Sequence, residues 1–385
     1  MRACMVGYTF YENDNRVMRY AEALVARGDV VDVIALRKPG QPRVGEYRGV
    51  HVLRIQKRTT DERQGKLAYL TRMVRFLLRS FWCLAWRQVR FGYGLVHVHS
   101  PPDFEVFAAL VPRILGAKVV LDIHDVVPEF YCSKFGVSKS SGIFRALMTA
   151  ERLSIAFSYH AIVANDIWRA RLLSRSAAPQ KCTTVLNYPD LCIFHERPRH
   201  RHDDRFIVMY PGTINHHQGI DLAVQAFSLI REEAPKAELH IYGEGPDRQL
   251  VSDLIVSLGL QDRVFLFDMV PMVQAADVMA EADLGVIPKR RDSFGDEAFS
   301  TKSLEFMALG VPILIANTTI DEYYFDSSLV AFFESENVQA LAREIVRLYR
   351  CADERRRLAE RGRQFIACNN WSVKKECYFR LLRGC

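Results

Sequence analysis

The sequence predicts an α/β chain of two Rossmann-like, doubly wound domains followed by C-terminal helices. Three observations carry that prediction. Short β-branched apolar runs alternate with longer segments of 3.6-residue periodicity. That alternation builds parallel sheets with helices on both faces. It breaks once, at HERPRHRHDDR from His195 to Arg205, and then restarts. The length of 385 residues suits two domains at roughly 100–200 residues each.

In the first half the expected strands are Cys4–Tyr8, Val30–Leu36, His51–Ile55, Leu95–His99, Val119–Ile123, Ala161–Val163 and Thr183–Leu186. Arg16–Arg27 and Phe104–Leu115 read as helices between them. In the second half the strands are Phe206–Tyr210, Glu238–Tyr242, Val264–Phe267, Leu284–Ile287, Pro312–Ile315 and Leu329–Phe332. The tail from Val338 reads as helices, the last starting at Trp371. The expected domains are therefore 1–195 and 203–365, with 366–385 a helix packing back on the first. The polar patch between them reads as a solvated hinge. Ligands of doubly wound sheets bind beyond the carboxyl ends of the strands. Two such domains facing across a cleft suit a two-substrate reaction.

Composition is that of an ordinary globular chain, 49% hydrophobic and 25% charged. Nine cysteines lie scattered without C-x-x-C spacing, which argues against a zinc site or a disulfide framework. A reduced, cytoplasmic setting is expected. No apolar run reaches the length of a membrane span. The net charge of +7 is uneven: Arg54–Tyr93 holds ten Lys or Arg against Asp61 and Glu62. The same stretch is rich in Leu, Phe and Trp. Two readings stay open for 62–91: a helix lying on an anionic membrane surface, on the inner face of the cell membrane, or a surface helix with one buried face. The stretch carries no nucleic-acid motif and the rest of the chain is not strongly basic, so no nucleic-acid partner is expected.

The stretch DEAFSTKSLEFMALGVPILIA sets Glu297 and Glu305 around a helix start. Ser300 and Thr301 are available as caps. A capping box would need an acid three residues on, where Ser303 and Leu304 stand. Glu305 is thus not needed as a capping partner. The amides near Phe299, Ser300, Thr301 and Lys302 attract anions at a helix N-terminus. Lys302 adds a full charge. Spacing alone leaves two readings open: a sugar-nucleotide clamp, or two solvated glutamates beside a helix end.

Other stretches bear on that choice. YPGTINHHQGIDLAVQAF (Tyr210–Phe227), HIYGEGPDRQL (His240–Leu250), VHVHSPPDF and LDIHDVVPEFYCSKFG join the Glu–seven–Glu pattern in order. Together the sequence resembles family 4 of the glycosyltransferases, retaining enzymes of the GT-B fold, of the kind that build surface polysaccharides. The resemblance implies that Glu297 contacts the donor sugar and Glu305 the ribose. It places Gly212, Thr213, Gln218, Gly243 and Gly245 in donor-binding loops. It places His124 near the reacting sugar, with Asp125 and Glu129 following on the acceptor side. The chain departs from the family where an Arg and a Lys grip the diphosphate; Thr213 and Gln218 stand there. Lys302 is the first replacement candidate, ahead of Lys289, Arg290 and Arg291. Arg16 is a further candidate for reaching phosphate.

The resemblance implies transfer of a sugar from a nucleoside diphosphate sugar to an acceptor hydroxyl, on a lipid-linked or polysaccharide glycan. The chain has no Asp-x-Asp, so no metal and no other cofactor are expected. The rival readings are a UDP-sugar 2-epimerase or a phosphorylase of the same fold, and a non-catalytic sugar nucleotide-binding protein.

Overall fold

The computed structural model describes residues 1–58, 66–138, 140–292 and 294–383. Residues 62–65 of the expected membrane segment lie outside these. The chain divides into two compact units. Unit 1 is Met1–Asn187 with the C-terminal residues from Lys375 on; unit 2 is Tyr188–Lys374.

Unit 1 holds eight strands: β1 (Arg2–Gly7), β2 (Val30–Arg37), β3 (Val44–Tyr47), β4 (Val50–Lys57), β5 (Leu95–Ser100), β6 (Lys118–Ile123), β7 (His160–Val163) and β8 (Cys182–Thr184). Their order is β3-β4-β2-β1-β5-β6-β7-β8. All pairings are parallel except β3–β4. Strand β3 was not foreseen. It is a four-residue edge strand whose hairpin turns on Arg48 and Gly49, both at positive φ. A tight turn of that kind usually announces itself as Asn-Gly, and Arg48 hides it. The expected helix Phe104–Leu115 is also different: 3₁₀ turns run Asp103–Ala109, and only Leu110–Ile114 is α-helical.

Unit 2 holds β9 (Phe206–Pro211), β10 (Ala237–Tyr242), β11 (Val264–Phe267), β12 (Leu284–Ile287), β13 (Ile313–Ala316) and β14 (Ala331–Phe333). Their order, β11-β10-β9-β12-β13-β14, is wholly parallel. Along β9 the side chains alternate between two cores. Phe206, Val208 and Tyr210 face one, Ile207 and Met209 the other. A strand buried on both faces must be apolar at every position, which is why FIVMY reads so clearly. The order reverses between β9 and β12, and crevices at such points receive ligands in doubly wound folds.

The segment His195–Arg205 is solvent-exposed but is not the seam between the units. Glu281 and Asp283 bind it along unit 2. Glu281 accepts from the amides of His200 and Arg201 at 2.8 and 3.1 Å, and Asp283 accepts from Arg199 at 2.7 Å. The seam between the units falls instead at Asn187–Tyr188. The last helix, Trp371–Arg383, ends in unit 1, where the Tyr378 hydroxyl lies 3.0 Å from His97 Nδ1.

Candidate functional site

In unit 2 the loops after β9 and β12 and the helix Thr301–Ala308 converge at the strand-order reversal. Backbone bonds continue past the strand ends: the Gly212 amide donates to Tyr242 O at 2.8 Å and the Ile214 amide to Glu244 O at 2.9 Å. Gly243 and Gly245 serve this packing. A Cβ on either would lie about 2 Å from the carbonyl oxygen of Gly212 or Ile214. Gly212, at φ +138°, makes room for Lys302: a Cβ there would sit 2.3 Å from Lys302 Cε and 2.9 Å from its Nζ.

Lys302 is half-buried by surface but closely enclosed. Its Nζ reaches Gln218 Oε1 at 3.5 Å and stands 5.1 Å from the centre of the Tyr210 ring. It has no carboxylate within ion-pair distance among the described residues. Burial pushes its ammonium down to about 8, with Glu305 opposing and Lys289 assisting. Tyr210, missed in the sequence, is fully buried and donates to Thr213 O at 2.8 Å and Gln218 Oε1 at 3.1 Å. Gln218 thus accepts from a cation carried by another element. Thr213 is exposed and contributes its carbonyl.

Ser300 occupies the cap position of the helix Thr301–Ala308, yet makes no capping bond; its hydroxyl is buried without a partner. The cap residue's side chain therefore does not close the first-turn amides. Glu305 follows one turn in, and Glu297 precedes the helix; both are half-buried. Phe299 turns away from any ligand role for its ring, packing 5.0 Å from Tyr324 and 5.9 Å from Phe325.

Of the run Lys289–Arg291, Arg291 is exposed and pairs with Asp296 and Glu322, while the first two side chains are buried. Lys289 is 2% exposed and pairs with Asp321 at 2.7 Å. It also donates to the Ala298 and Gly295 carbonyls at 2.8 and 3.4 Å. It thus fixes both sides of the loop that carries Glu297. Arg290 forks onto Asp221 at 2.8 and 2.6 Å. Neither side chain is left for phosphate. A lysine directly after the apolar LGVIP was the available signal: a charge entering a core must be paired.

In unit 1 the site centres on Asp122, which is fully buried at the end of β6. Arg16 forks onto it from the first turn of the helix Asn15–Ala26, at 2.7 and 2.6 Å, and also donates to Val185 O and Asn187. Arg16 therefore neutralises a buried carboxylate, and the expectation that it reaches phosphate is corrected. His99 Nδ1 and His124 Nε2 lie 3.2 and 3.1 Å from Asp122 Oδ2, and 3.2 Å from each other. Burial would raise the Asp122 carboxyl; Arg16 and His124 hold it well below the usual range. Burial pushes the imidazoles of His97 and His99 down. His124 is thus fixed through Nε2, and Nδ1 is left unbonded among the described residues. Asp125, beside it, takes no hydrogen bond among the described residues, and burial raises its carboxyl. Glu129 is committed elsewhere, to a two-pronged pair with Arg175. Its expected acceptor-side role has no free oxygen to act through.

His97, His99 and Asp122 also lie close enough to hold a metal, their ligand atoms within 4.8 Å of one another. Both Asp122 oxygens already carry the Arg16 fork, so a cation stands there from the chain itself.

Comparison with known proteins follows the same two units. A family model described as a glycosyl transferase 4-like domain matches residues 14–199, and one described as glycosyl transferases group 1 matches 193–365. The putative glycosyltransferase EpsD of Bacillus subtilis is 26% identical over 292 residues, covering 71% of this chain and 72% of that protein. Three other curated relatives are spanned over only 16% to 54% of their length. Among solved structures, sucrose-phosphate synthase from Thermosynechococcus elongatus superposes with a TM-score of 0.79 at 18% identity, covering 100% of this chain and 98% of that one. HepE from Anabaena, solved with UDP and glucose, superposes with a TM-score of 0.73 at 13% identity, covering 99% of each. Two matched domains, the parallel sheets and these relatives converge: the chain belongs to the glycosyltransferases, with the GT-B fold and of the family 4 kind.

Proposed function

We propose that the chain transfers a sugar, with retention at the anomeric carbon and without a metal, from a nucleoside diphosphate sugar to an acceptor hydroxyl on a lipid-linked or polysaccharide glycan. One observation carries the donor half. Lys302 is an enclosed cation with no carboxylate in ion-pair distance among the described residues, set against Gly212 at a helix N-terminus whose cap serine makes no capping bond. Enclosing an ammonium without an anion is costly, and a diphosphate supplies the missing charge. In this reading the cation of the family's loop has moved to the helix, so the Thr213 and Gln218 replacements do not disable the site. HepE binding UDP and glucose favours a donor of the same class.

The barrier lies in breaking the anomeric C–O bond while charge grows on the departing diphosphate. The first-turn amides and Lys302 are aimed at that charge before reaction begins, and such preorganisation lowers the barrier. Glu305 takes the ribose hydroxyls and Glu297 those of the donor sugar. Lys289 holds the Glu297 loop through the Ala298 and Gly295 carbonyls. His124, oriented by Asp122 within unit 1, is the residue that the family resemblance places near the reacting sugar.

A thermal-shift panel of UDP, GDP, ADP and their sugars in EDTA tests this. Ligand at about 100 times its Kd stabilises by about 2.7 kcal/mol. One nucleotide should shift the melting temperature in EDTA, and Glu305→Ala should abolish the shift. No shift with any nucleotide would overturn the donor site.

A further inference from the structure

The long helix Lys66–Phe91 has two apolar faces. One is used by the fold: Met73, Phe76 and Leu84 are buried in unit 1. The other is not. Leu70, Val74, Leu78, Trp82 and Trp86 recur at steps of four, and all are exposed, the tryptophans by 70% and 61%. Monomers rarely leave so regular an apolar stripe in water. Val74, Leu78 and Trp82, the middle of the stripe, line one wall of a groove of about 1120 Å³ whose other wall is mostly the β3–β4 hairpin. Cations crowd that groove. Arg54 is paired with Glu12, and Arg79 donates to Ile55 O at 3.2 Å. Arg37, Arg43, Lys57 and Arg75 make no side-chain hydrogen bond or ion pair among the described residues.

We infer that this groove docks the chain on an anionic phospholipid surface. The guanidinium and ammonium groups take headgroup phosphates, and the Leu70–Trp86 stripe lies among the upper acyl carbons. Unpaired cations beside an apolar stripe match the two layers of such an interface. A protein partner would need a matching row of acids as well as apolar side chains. Single-stranded nucleic acid takes cations and aromatic rings, but Leu70, Val74 and Leu78 offer it nothing. The surface lies wholly in unit 1, so the inference stands whether or not the donor reading does.

The test is co-sedimentation of the full chain with vesicles, needing no sugar nucleotide. Vesicles of pure phosphatidylcholine are compared with vesicles of roughly one-third phosphatidylglycerol, at about 0.1 M and 1 M salt. Binding should need the anionic lipid and weaken at high salt. Arg43→Ala with Arg75→Ala should weaken it about 30-fold, at about 1 kcal/mol per cation. Trp82→Ser with Trp86→Ser should weaken it on the same vesicles, and both pairs should melt like the parent chain. Equal or absent binding to the two vesicle types, or full binding by both variants, would overturn the inference. So would tighter binding to a single-stranded oligonucleotide, lost in the same variants.

Discussion

The two units place opposite charges at corresponding ends of their sheets and treat them differently. Unit 1 buries a carboxylate, Asp122, and answers it from within, with the two-pronged Arg16 and two imidazoles. Unit 2 encloses an ammonium, Lys302, and among the described residues answers it at close range with an amide oxygen and an aromatic ring, and with Glu305 at longer range. A few residues away the same unit pairs Lys289 fully, with Asp321. The fold can therefore supply partners when charge must be silent. An internally satisfied charge holds structure, and a charge left half-answered awaits a ligand. By that criterion the centre in unit 1 is a scaffold around His124, and the centre in unit 2 is the better candidate for a binding site.

The sharpest way to break this contrast is to remove each cation in turn. Arg16→Met leaves Asp122 buried and uncompensated, which typically costs about 3–5 kcal/mol of stability. Urea unfolding at neutral pH should show it. The Asp122 carboxyl is depressed in the folded state. Its pair therefore stabilises above the ordinary aspartate value and loses that contribution as pH falls through the depressed one, so the variant's deficit should shrink in acid. An Arg16→Met chain as stable as the parent would mean that unit 1 does not depend on the pair.

Lys302→Met should behave in the reverse way. The empty protein should keep or gain stability at neutral pH, since no carboxylate is orphaned and an enclosed charge is removed. Transfer should fall by about 3–4 kcal/mol in kcat/KM, the usual cost of one lost oxyanion donor. The ammonium titrates near 8, below its ordinary 10.5. The charged form is thus complete below that pH, and donor affinity should decline above it, by up to about tenfold per pH unit. The variant's affinity should stay level. The empty parent protein should gain stability over the same rise, because the unfolded chain keeps the proton to a higher pH. A donor affinity independent of pH in the parent would separate Lys302 from the diphosphate.

Most of the fold was legible because its strands are buried on both faces and so read as unbroken apolar runs. The candidate site was legible where it is local: Glu297, Lys302 and Glu305 share one short stretch, and Gly212, Gly243 and Gly245 mark strand exits. What stayed hidden was pairing at long range. Arg16 and Asp122 are 106 positions apart, and nothing in either neighbourhood names the other. Asp122 did break the apolar run VVLDI, and a charge inside a buried strand demands a partner somewhere. Glu129 showed the opposite failure: its motif position suggested a ligand role that the more distant Arg175 and Glu151 preclude.

The smallest effect tests the finest feature of unit 2. A cap serine replaced by alanine usually costs about 1 kcal/mol because its side chain satisfies a first-turn amide. The Ser300 hydroxyl satisfies none and is itself buried without a partner. Ser300→Ala should therefore leave the stability of the empty protein unchanged or slightly raised. A buried hydroxyl kept unpaired at an uncapped helix end makes sense if the ligand supplies its acceptor. Donor affinity should then fall by about 1 kcal/mol, the net worth of one hydrogen bond, while the melting temperature without ligand holds. Loss of stability with unchanged affinity would show that Ser300 caps its helix after all, and would leave Lys302 as the chief anion-binding group of that terminus.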